Sequence, residues 1–443
     1  MGVISRVGLL AALCCSPAVG ASLLDAWDSA QAYDPDFRIA LADHGIAAEE
    51  LPLARAALLP QMVAQAAVGR AESDITQPGL LGGVNRRSQF YDTQNWALQI
   101  RQPLFRFRAL TGYQQGRLRS DSSDAALEDA RQQLALRLLE SLARMAAARA
   151  DAQFAEVDVV SSARVLEQSE RQLKAGQVTQ ADRANASARH AQAETGLSQA
   201  KVALAVADAK WQQLTGGMSP NRLSLPPELV AKLGFAGVTA DDLATRALAQ
   251  SPALASLRRE RDIARLELRK ARGERLPTLD LLLSRGYVES DVESTIGNTY
   301  LTNRVALQAT LPLYAGGAIS ATVRQAEAKL ARAEASVSAA EGQLRSIVAQ
   351  ETSNLAYAGS QKDSARVSAE AAGLSQRAAE LGRSGGTSTR ADASEAETAL
   401  AAAQRDQVRA AALALISWAR IMHATGALDR SALENLQPDV DIE

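Results

Sequence analysis

The sequence predicts a mainly α-helical chain with a small β part, extended along its helices rather than rounded about one core. Three observations carry that expectation. The 443 residues hold two copies of one structural unit, each copy contains a proline-free helical stretch of about 67 residues, and only 4% of the residues are aromatic although 47% are hydrophobic. Small apolar side chains, alanine above all, suit helices packed at close range better than a thick globular core.

The duplication is read from landmarks at constant spacing. Ser22, Pro35 and Pro60 recur as Thr239, Pro252 and Pro277 at an offset of 217. Gln102-Pro-Leu-Phe105 answers Leu311-Pro-Leu-Tyr314 at 209, and Gly176, Asp182 and Thr215-Gly216 answer Gly386, Asp392 and Thr425-Gly426 at 210. The offset falls between Pro60 and Pro103, so the second copy is expected to be shorter there, in a surface loop that tolerates length change. The division that follows is a leader at 1–20, a first repeat at 21–216, a linker at 217–238, a second repeat at 239–426 and a C-terminal segment at 427–443.

Each copy reads as helix, strand, loop, strand, long helix, turn and helix. Ser22 to Asp25 and Thr239 to Asp242 have the spacing of a capping box, in which a hydroxyl and a carboxylate three residues on satisfy free backbone N–H groups. Pro60 and Pro277 are expected to end helices, and Pro103 and Pro312 to end strands, because proline lacks the N–H that either ladder needs. Between the prolines the polarity alternates with period two. Leu301, Val305, Leu307, Ala309 and Leu311 share one face against Thr302, Arg304, Gln308 and Thr310. Trp96, Leu98 and Ile100 alternate with Asn95, Gln99 and Arg101 in the same way. Phe90, Tyr91 and Tyr300 at the loop side, Phe105 and Tyr314 at the proline side, and Trp96 are candidates for interfacial aromatic girdles, and a half-buried soluble sheet is the alternative reading.

The long stretches run from Ala109 to about Ala175 and from Ala318 to about Ser384. At ~1.5 Å per residue each would be roughly 100 Å long, far beyond a globular domain. The second carries a heptad with Val323, Leu330, Val337 and Leu344 at one seam position and Ala326, Ala333, Ala340 and Ile347 at its partner. Leu127, Leu134, Leu138, Leu142 and Met145 do the same in the first. Alanines off the seam, at Ala328, Ala331, Ala335 and Ala339, offer a second packing face, so such helices can stand side by side as staves of a cylinder; a coiled-coil dimer is the alternative reading.

A formal charge of -2 gives no field that favours nucleic acid. The start reads as a secretory leader, with Arg6, an apolar run to Cys15 and small residues around Ala18-Val19-Gly20-Ala21; lipidation at Cys14 or Cys15 is the competing reading. Cleavage after Gly20 or Ala21 would leave no cysteine for a disulfide or a thiolate metal site. No later run of ~20 apolar residues exists, so any membrane crossing falls to the strands. Four strands cannot close a transmembrane barrel, which needs at least ~8 in one chain, so copies must pool theirs.

The ordered motifs Arg55-Ala-Ala-Leu-Leu-Pro-Gln61, Gln102-Pro-Leu-Phe105, Leu173-Lys-Ala-Gly-Gln-Val-Thr-Gln-Ala-Asp182, Gln213-Leu-Thr-Gly216, Arg275-Leu-Pro-Thr-Leu-Asp280 and Leu311-Pro-Leu-Tyr-Ala-Gly-Gly317 resemble the TolC family of outer-membrane factors over nearly the whole chain after the leader. The resemblance implies a TolC-like homotrimer, an α/β channel-tunnel in which twelve pooled strands form one β-barrel in outer-membrane lipid. The helices would form a long coiled-coil barrel that extends into the periplasm. It implies no cofactor, no enzymatic activity, a periplasmic adaptor (membrane fusion) protein, and an inner-membrane ABC exporter or RND pump that supplies the energy. An equatorial belt would come partly from the linker and the C-terminal segment.

At each helical hairpin end a glycine turn precedes a carboxylate. Asp392 and Glu395 are three apart and share a helix face, so threefold symmetry would stack two acidic rings that attract cations. By resemblance the pair matches two aspartates that constrict the family's entrance, the second being glutamate here. The alternative is that an acidic first-turn residue complements the helix dipole. The family's tyrosine and arginine latch falls at Arg383 and Ser388, a departure, and Arg383 or Arg390 bonding to Asp182 is the substitute latch. His44, His190 and His423 stand apart without metal-ligand spacing. Asp34-Pro35 resembles the type I protein-secretion branch; small-molecule efflux is the alternative within the class, and a secreted coiled-coil structural protein the alternative outside it.

Overall fold

The computed structural model describes residues 22–78, 82–218, 220, 223–235, 237–290, 298–384 and 389–442. The expected leader, with Cys14 and Cys15, lies outside the described residues.

The first repeat comprises α1 (Leu23–Tyr33), α2 (Pro35–Ala48), α3 (Glu50–Ala56), β1 (Gln61–Pro78), β2 (Val84–Phe105), α4 (Phe107–Lys174) and α5 (Gln180–Thr215). After β3 (Leu223–Ser224) and α6 (Leu229–Lys232), the second repeat supplies α7 (Ala240–Gln250), α8 (Pro252–Arg272), β4 (Thr278–Ser290), β5 (Asn298–Thr310), α9 (Ala318–Ser384) and α10 (Arg390–Ala424). The chain then forms α11 (Arg430–Leu436) and β6 (Asp441–Ile442), which pairs antiparallel with β3.

Local chemistry fixes the helix ends. Ser22, Thr179, Thr239 and Thr389 each cap a helix and accept from the N–H of an aspartate three residues on, whose carboxylate accepts the cap residue's N–H in return. Pro35 and Pro252 occupy first helical positions, where the missing N–H costs nothing. Pro52, which cannot donate to Ala48, accounts for the break between α2 and α3 that the single helix α8 lacks.

Two of the sequence expectations are corrected. Pro103 does not end its strand: β2 continues to Phe105 through a register shift between Pro103 and Phe105, and a bulge is where a strand tolerates the missing donor. Among the described residues the repeats already differ in length within their strands and not only in a loop, with β1 and β2 of 18 and 22 residues against 13 each for β4 and β5.

The chain divides into two compact units, and each draws on both repeats. One comprises the described residues of Met1–Leu41, Glu128–Pro252 and Glu341–Glu443. There Leu134, Leu138, Leu142 and Met145 of α4 are fully buried, as the seam requires. Leu243, Ala247, Val348, Ile421 and Ala424 form a second apolar cluster. Arg420 on α10 reaches Glu140 on α4 and Glu351 on α9 at 2.8 and 2.9 Å, and Arg137 pairs with Asp34 and Asp36. Asp34 also accepts the Phe37 N–H at 2.9 Å, so it stops α1 and starts α2 together.

The other unit comprises Ala42–Leu127 and Ala253–Ala340. It holds one antiparallel sheet in the order β1-β2-β4-β5, so β1 and β5 are its edges. β2 pairs with β4 only from Thr93 downward; Val84–Asp92 pairs with β1 alone among the described residues. On α9, Ala326 and Val337 of the heptad are buried, and Ala328, Ala331, Ala335 and Ala339 are exposed.

Gly216 and Gly426, at equivalent places in the two repeats, both have φ of 71°. A Cβ on Gly216 would sit 2.4 Å from the Tyr33 ring, and one on Gly426 would sit 2.5 Å from the Gln250 carbonyl oxygen. Mid-helix Gly373 has open space around it. Gly426→Ala is therefore expected to destabilise the fold by about 1–3 kcal/mol through the left-handed backbone alone. Gly373→Ala should stabilise it by up to about 1 kcal/mol. Urea unfolding followed at 222 nm reads both, and an unchanged Gly426→Ala midpoint would refute the steric account.

Candidate functional site

The β-sheet presents two chemically different faces, set by its register. Met62, Ile100, Leu283 and Val305 lie in one row across the four strands, and Ala66, Trp96, Tyr287 and Leu301 in another. Trp96 and Tyr287 stack with ring centroids 6.1 Å apart and planes within 7°. The row between them, Ala64, Leu98, Arg285 and Asn303, shares this face, whereas residues one position out of these rows point the other way: Gln61, Gln65, Gln99, Arg101, Ser284, Arg304 and Gln308 share the opposite, polar face. The apolar face is uncovered in the single chain, with Val305 75% and Met62 64% exposed. That is the reverse of a soluble sheet, which buries one face.

The same pleat sorts the aromatic candidates. Phe90 and Trp96 belong to the apolar face, and the bulge after Pro103 brings Phe105 opposite Leu279 on that face too. Tyr91, opposite Ala71, and Tyr300, opposite Val288, fall on the polar face, so they do not share a belt with Trp96. Tyr314 follows β5 and is fully open to solvent.

A cluster that the sequence reading did not single out lies at the strand-to-helix junction. Asp280 on β4 is 2% exposed; Arg101 on β2 and Arg106 at the start of α4 each donate to its Oδ2 at 2.6 Å, and Arg106 Nε donates to Oδ1 at 2.8 Å. Two guanidiniums on one carboxylate satisfy it fully, and losing them would strand a buried charge. The available signal was a lone acid beside the apolar run Leu281-Leu282-Leu283.

At the hairpin ends, Asp182 and Asp392 are the capping-box acids of α5 and α10. Thr179 N–H reaches Asp182 Oδ2 at 2.9 Å, and Thr389 N–H reaches Asp392 Oδ2 at 2.8 Å. These backbone donors, followed by the threonine hydroxyls, hold both carboxyls below the usual aspartate range. Glu395 is exposed on α10, one turn from Asp392. The side chains of Arg383 and Arg390, and residues 385–388 with Gly386 and Ser388, lie outside the described residues. Arg183, next to Asp182, pairs instead with Glu170 across the hairpin at 3.2 Å.

Each histidine has a local partner: His44 with Asp124 at 2.9 Å, His190 with Ser162 at 3.1 Å, and His423 near Asp129 at 3.4 Å. Among the described residues no group of three His, Cys, Asp or Glu side chains is placed to hold a metal. No described helix is long and apolar enough to cross a membrane.

The family model for outer membrane efflux proteins matches residues 26–217 and 243–427. The alkaline protease secretion protein AprF of Pseudomonas aeruginosa is 32% identical over 316 residues, covering 70% of this chain. The proteases secretion protein PrtF of Dickeya chrysanthemi is 30% identical over 322 residues, covering 69% of this chain and 67% of the relative. The matched part spans 64% of the length of AprF. Among solved structures, the Campylobacter jejuni outer membrane channel CmeC superposes with a TM-score of 0.72 at 16% identity, covering 99% of this chain and 97% of that one.

A carboxylate with a depressed folded-state pKa adds stability above its unfolded pKa, near 4, and that stability is lost as pH falls through the folded value. The starts of α5 and α10 are therefore expected to keep full amide-exchange protection at neutral pH and to fray once pH falls below about 4. Thr389→Val should fray α10 at every pH. Protection factors, corrected for intrinsic exchange, that stay level down to pH 2 would contradict this.

Proposed function

Because the chain belongs to the outer membrane efflux protein family, we propose that it is one protomer of a homotrimeric channel-tunnel, a passive duct across the outer membrane and into the periplasm. The observation that carries this is the open sheet: its apolar face is exposed, its opposite face is polar, and its edge strands β1 and β5 have no outer neighbours among the described residues. Lipid accepts an apolar face but not unpaired backbone amides. Three copies joined β5 to β1 would close twelve strands with the polar face lining water and Trp96, Tyr287 and Phe105 toward lipid.

Protein export through type I secretion is the favoured use, with an inner-membrane ABC exporter and a periplasmic adaptor supplying energy and cargo. The protease-secretion relatives AprF and PrtF support it. Small-molecule efflux with an RND-type pump is the second reading, favoured by the efflux family model. The gate is assigned to Asp392 and Glu395. Capping fixes the Asp392 carboxylate at the helix start, so cap and gate are compatible roles. Asp182 with Arg383 or Arg390 is the proposed latch.

In a planar bilayer the reconstituted protein should give stepwise, cation-preferring conductance. Asp392→Asn with Glu395→Gln should reduce the cation preference severalfold, since two rings of charge are removed. Asp182→Ala and Arg383→Ala, singly and together, test the latch through the resting conductance. A water-soluble monomer without conductance would sink the channel reading, and deletion that spares protein secretion but raises drug sensitivity would select efflux over export.

A further inference from the structure

The sheet passes into helices almost without a linker: Arg106 alone separates β2 from α4. Beside that junction α4 and α8 form a groove of about 700 Å³ lined by Phe107, Leu110, Tyr113, Leu266, Arg117 and Arg269, with Asp121 at its far end. Phe107 anchors it, its ring so close over Gly273 that a Cβ there would sit 2.1 Å from the Phe107 Cδ1. Leu110 and Tyr113 are 45% and 38% exposed, an apolar strip open to solvent.

The groove and the Asp280 cluster lie on different sides of α4. The stripe 107, 110, 114, 117, 121 repeats every three to four residues and so forms one helix face. Arg108, Gly112, Gln115 and Arg119 occupy the face opposite, where a separate groove also takes in Arg106. Arg106 turns to the polar face of the sheet through Asp280. The Phe107–Arg117 stripe thus continues from Phe105, on the apolar face of the sheet that meets lipid.

The charges distinguish this groove from its surroundings. Arg106, Arg108, Arg119 and Lys270 each hold a carboxylate. Arg117 and Arg269 have no hydrogen-bond or ion-pair partner among the described residues, and both are exposed. Arg117 lies ten residues into α4, about 15 Å from Phe107 along the axis. Side chains on a helix lean toward its N-terminus. That carries Arg117 on α4 toward the sheet and Arg269 on α8, whose C-terminal end leads to β4, away from it, so the two lean toward one another. A long arginine stem lies readily along apolar surface. A headgroup zone roughly 5–7 Å deep lies next to the hydrocarbon on each side of a bilayer, which places Phe107 and Leu110 within it and the two guanidiniums at its aqueous edge.

We propose that this groove binds an anionic phospholipid of the periplasmic leaflet, with acyl chain and glycerol along Phe107, Leu110 and Tyr113 and the phosphate between Arg117 and Arg269. Arginine suits this site because its planar donor fork matches phosphate oxygens. Three such sites, one per protomer, would tie the barrel to the leaflet at a fixed depth. The inference rests on the sheet lying in lipid; it does not depend on what the channel carries.

The test is native mass spectrometry of the full-length protein in detergent, titrated with phosphatidylglycerol, phosphatidylcholine or inorganic phosphate, alongside planar-bilayer conductance. The wild type should retain phosphatidylglycerol over phosphatidylcholine, and Arg117→Gln with Arg269→Gln should weaken that retention roughly tenfold, the worth of one charged hydrogen bond. Arg108→Gln, which removes an ion-paired neighbour, should leave retention unchanged. Tyr113→Ala should weaken both lipids alike. Equal retention by the double variant overturns the proposal, as does inorganic phosphate that competes as well as the lipid. A cross-link between Tyr113→Cys and a neighbouring copy would assign the groove to the subunit interface instead. The double variant should still conduct, so loss of lipid retention with intact conductance leaves the channel reading standing, whereas loss of conductance in the wild type removes that reading itself.

Discussion

The constraint on which the structure depends is that backbone amides in lipid must find partners within protein. A four-stranded sheet with open edges at β1 and β5 breaks that rule as a monomer and satisfies it only when copies join. An unpaired amide in hydrocarbon costs several kcal/mol, and each edge carries a row of them. Side-chain chemistry follows from the same closure. The rows through Ile100 and Trp96 can be apolar and exposed because lipid covers them, and the rows through Gln99 and Arg101 can be polar because they line water.

Closure also dictates where the helices start. With one residue between β2 and α4, the position of a strand in the barrel fixes the position of its helix, and Asp280 reinforces the joint by binding Arg101 on the strand and Arg106 at the helix start together. A carboxylate buried at such a corner is tolerable only because both of its oxygens are satisfied. The corner is thus held by electrostatics where a thin sheet has little apolar volume to spend on packing. At the other helix ends the same economy appears in four capping boxes, which order each turn with one hydroxyl and one carboxylate.

Much of this was legible in the sequence because the devices are local. Ser22 with Asp25 and Thr239 with Asp242 announce helix starts, and the heptad from Val323 includes Ala326 and Val337, the buried residues of α9 ahead of Val348. What was illegible is non-local. The bulge after Pro103 depends on pairing with β4, so a proline that reads as a stop is carried within the strand. Tyr91 and Tyr300 look like companions of Trp96 until register puts them on the other face. Asp280 could not be matched to Arg101 and Arg106 from spacing, since more than 170 residues separate them. Asp182 and Asp392 were visible as carboxylates after a turn, but a cap and a gate use the same residue at the same place.

The two repeats have diverged where the physics permits it. The long helices remain matched, α4 and α9 at 68 and 67 residues and α5 and α10 at 36 and 35, whereas the strands differ by 5 and 9. Staves of one wall must end at a common level, because a helix one turn short leaves its neighbour's apolar stripe uncovered. A strand has no such limit beyond the bilayer: among the described residues Val84–Asp92 of β2 pairs with β1 alone, in a ribbon whose paired residues include Arg70 with Asp92 and Ser88 bonded to Glu72. Outside the lipid, water satisfies the free edges that closure must satisfy within it, so added length there costs little and the apolar rows stop where that freedom begins.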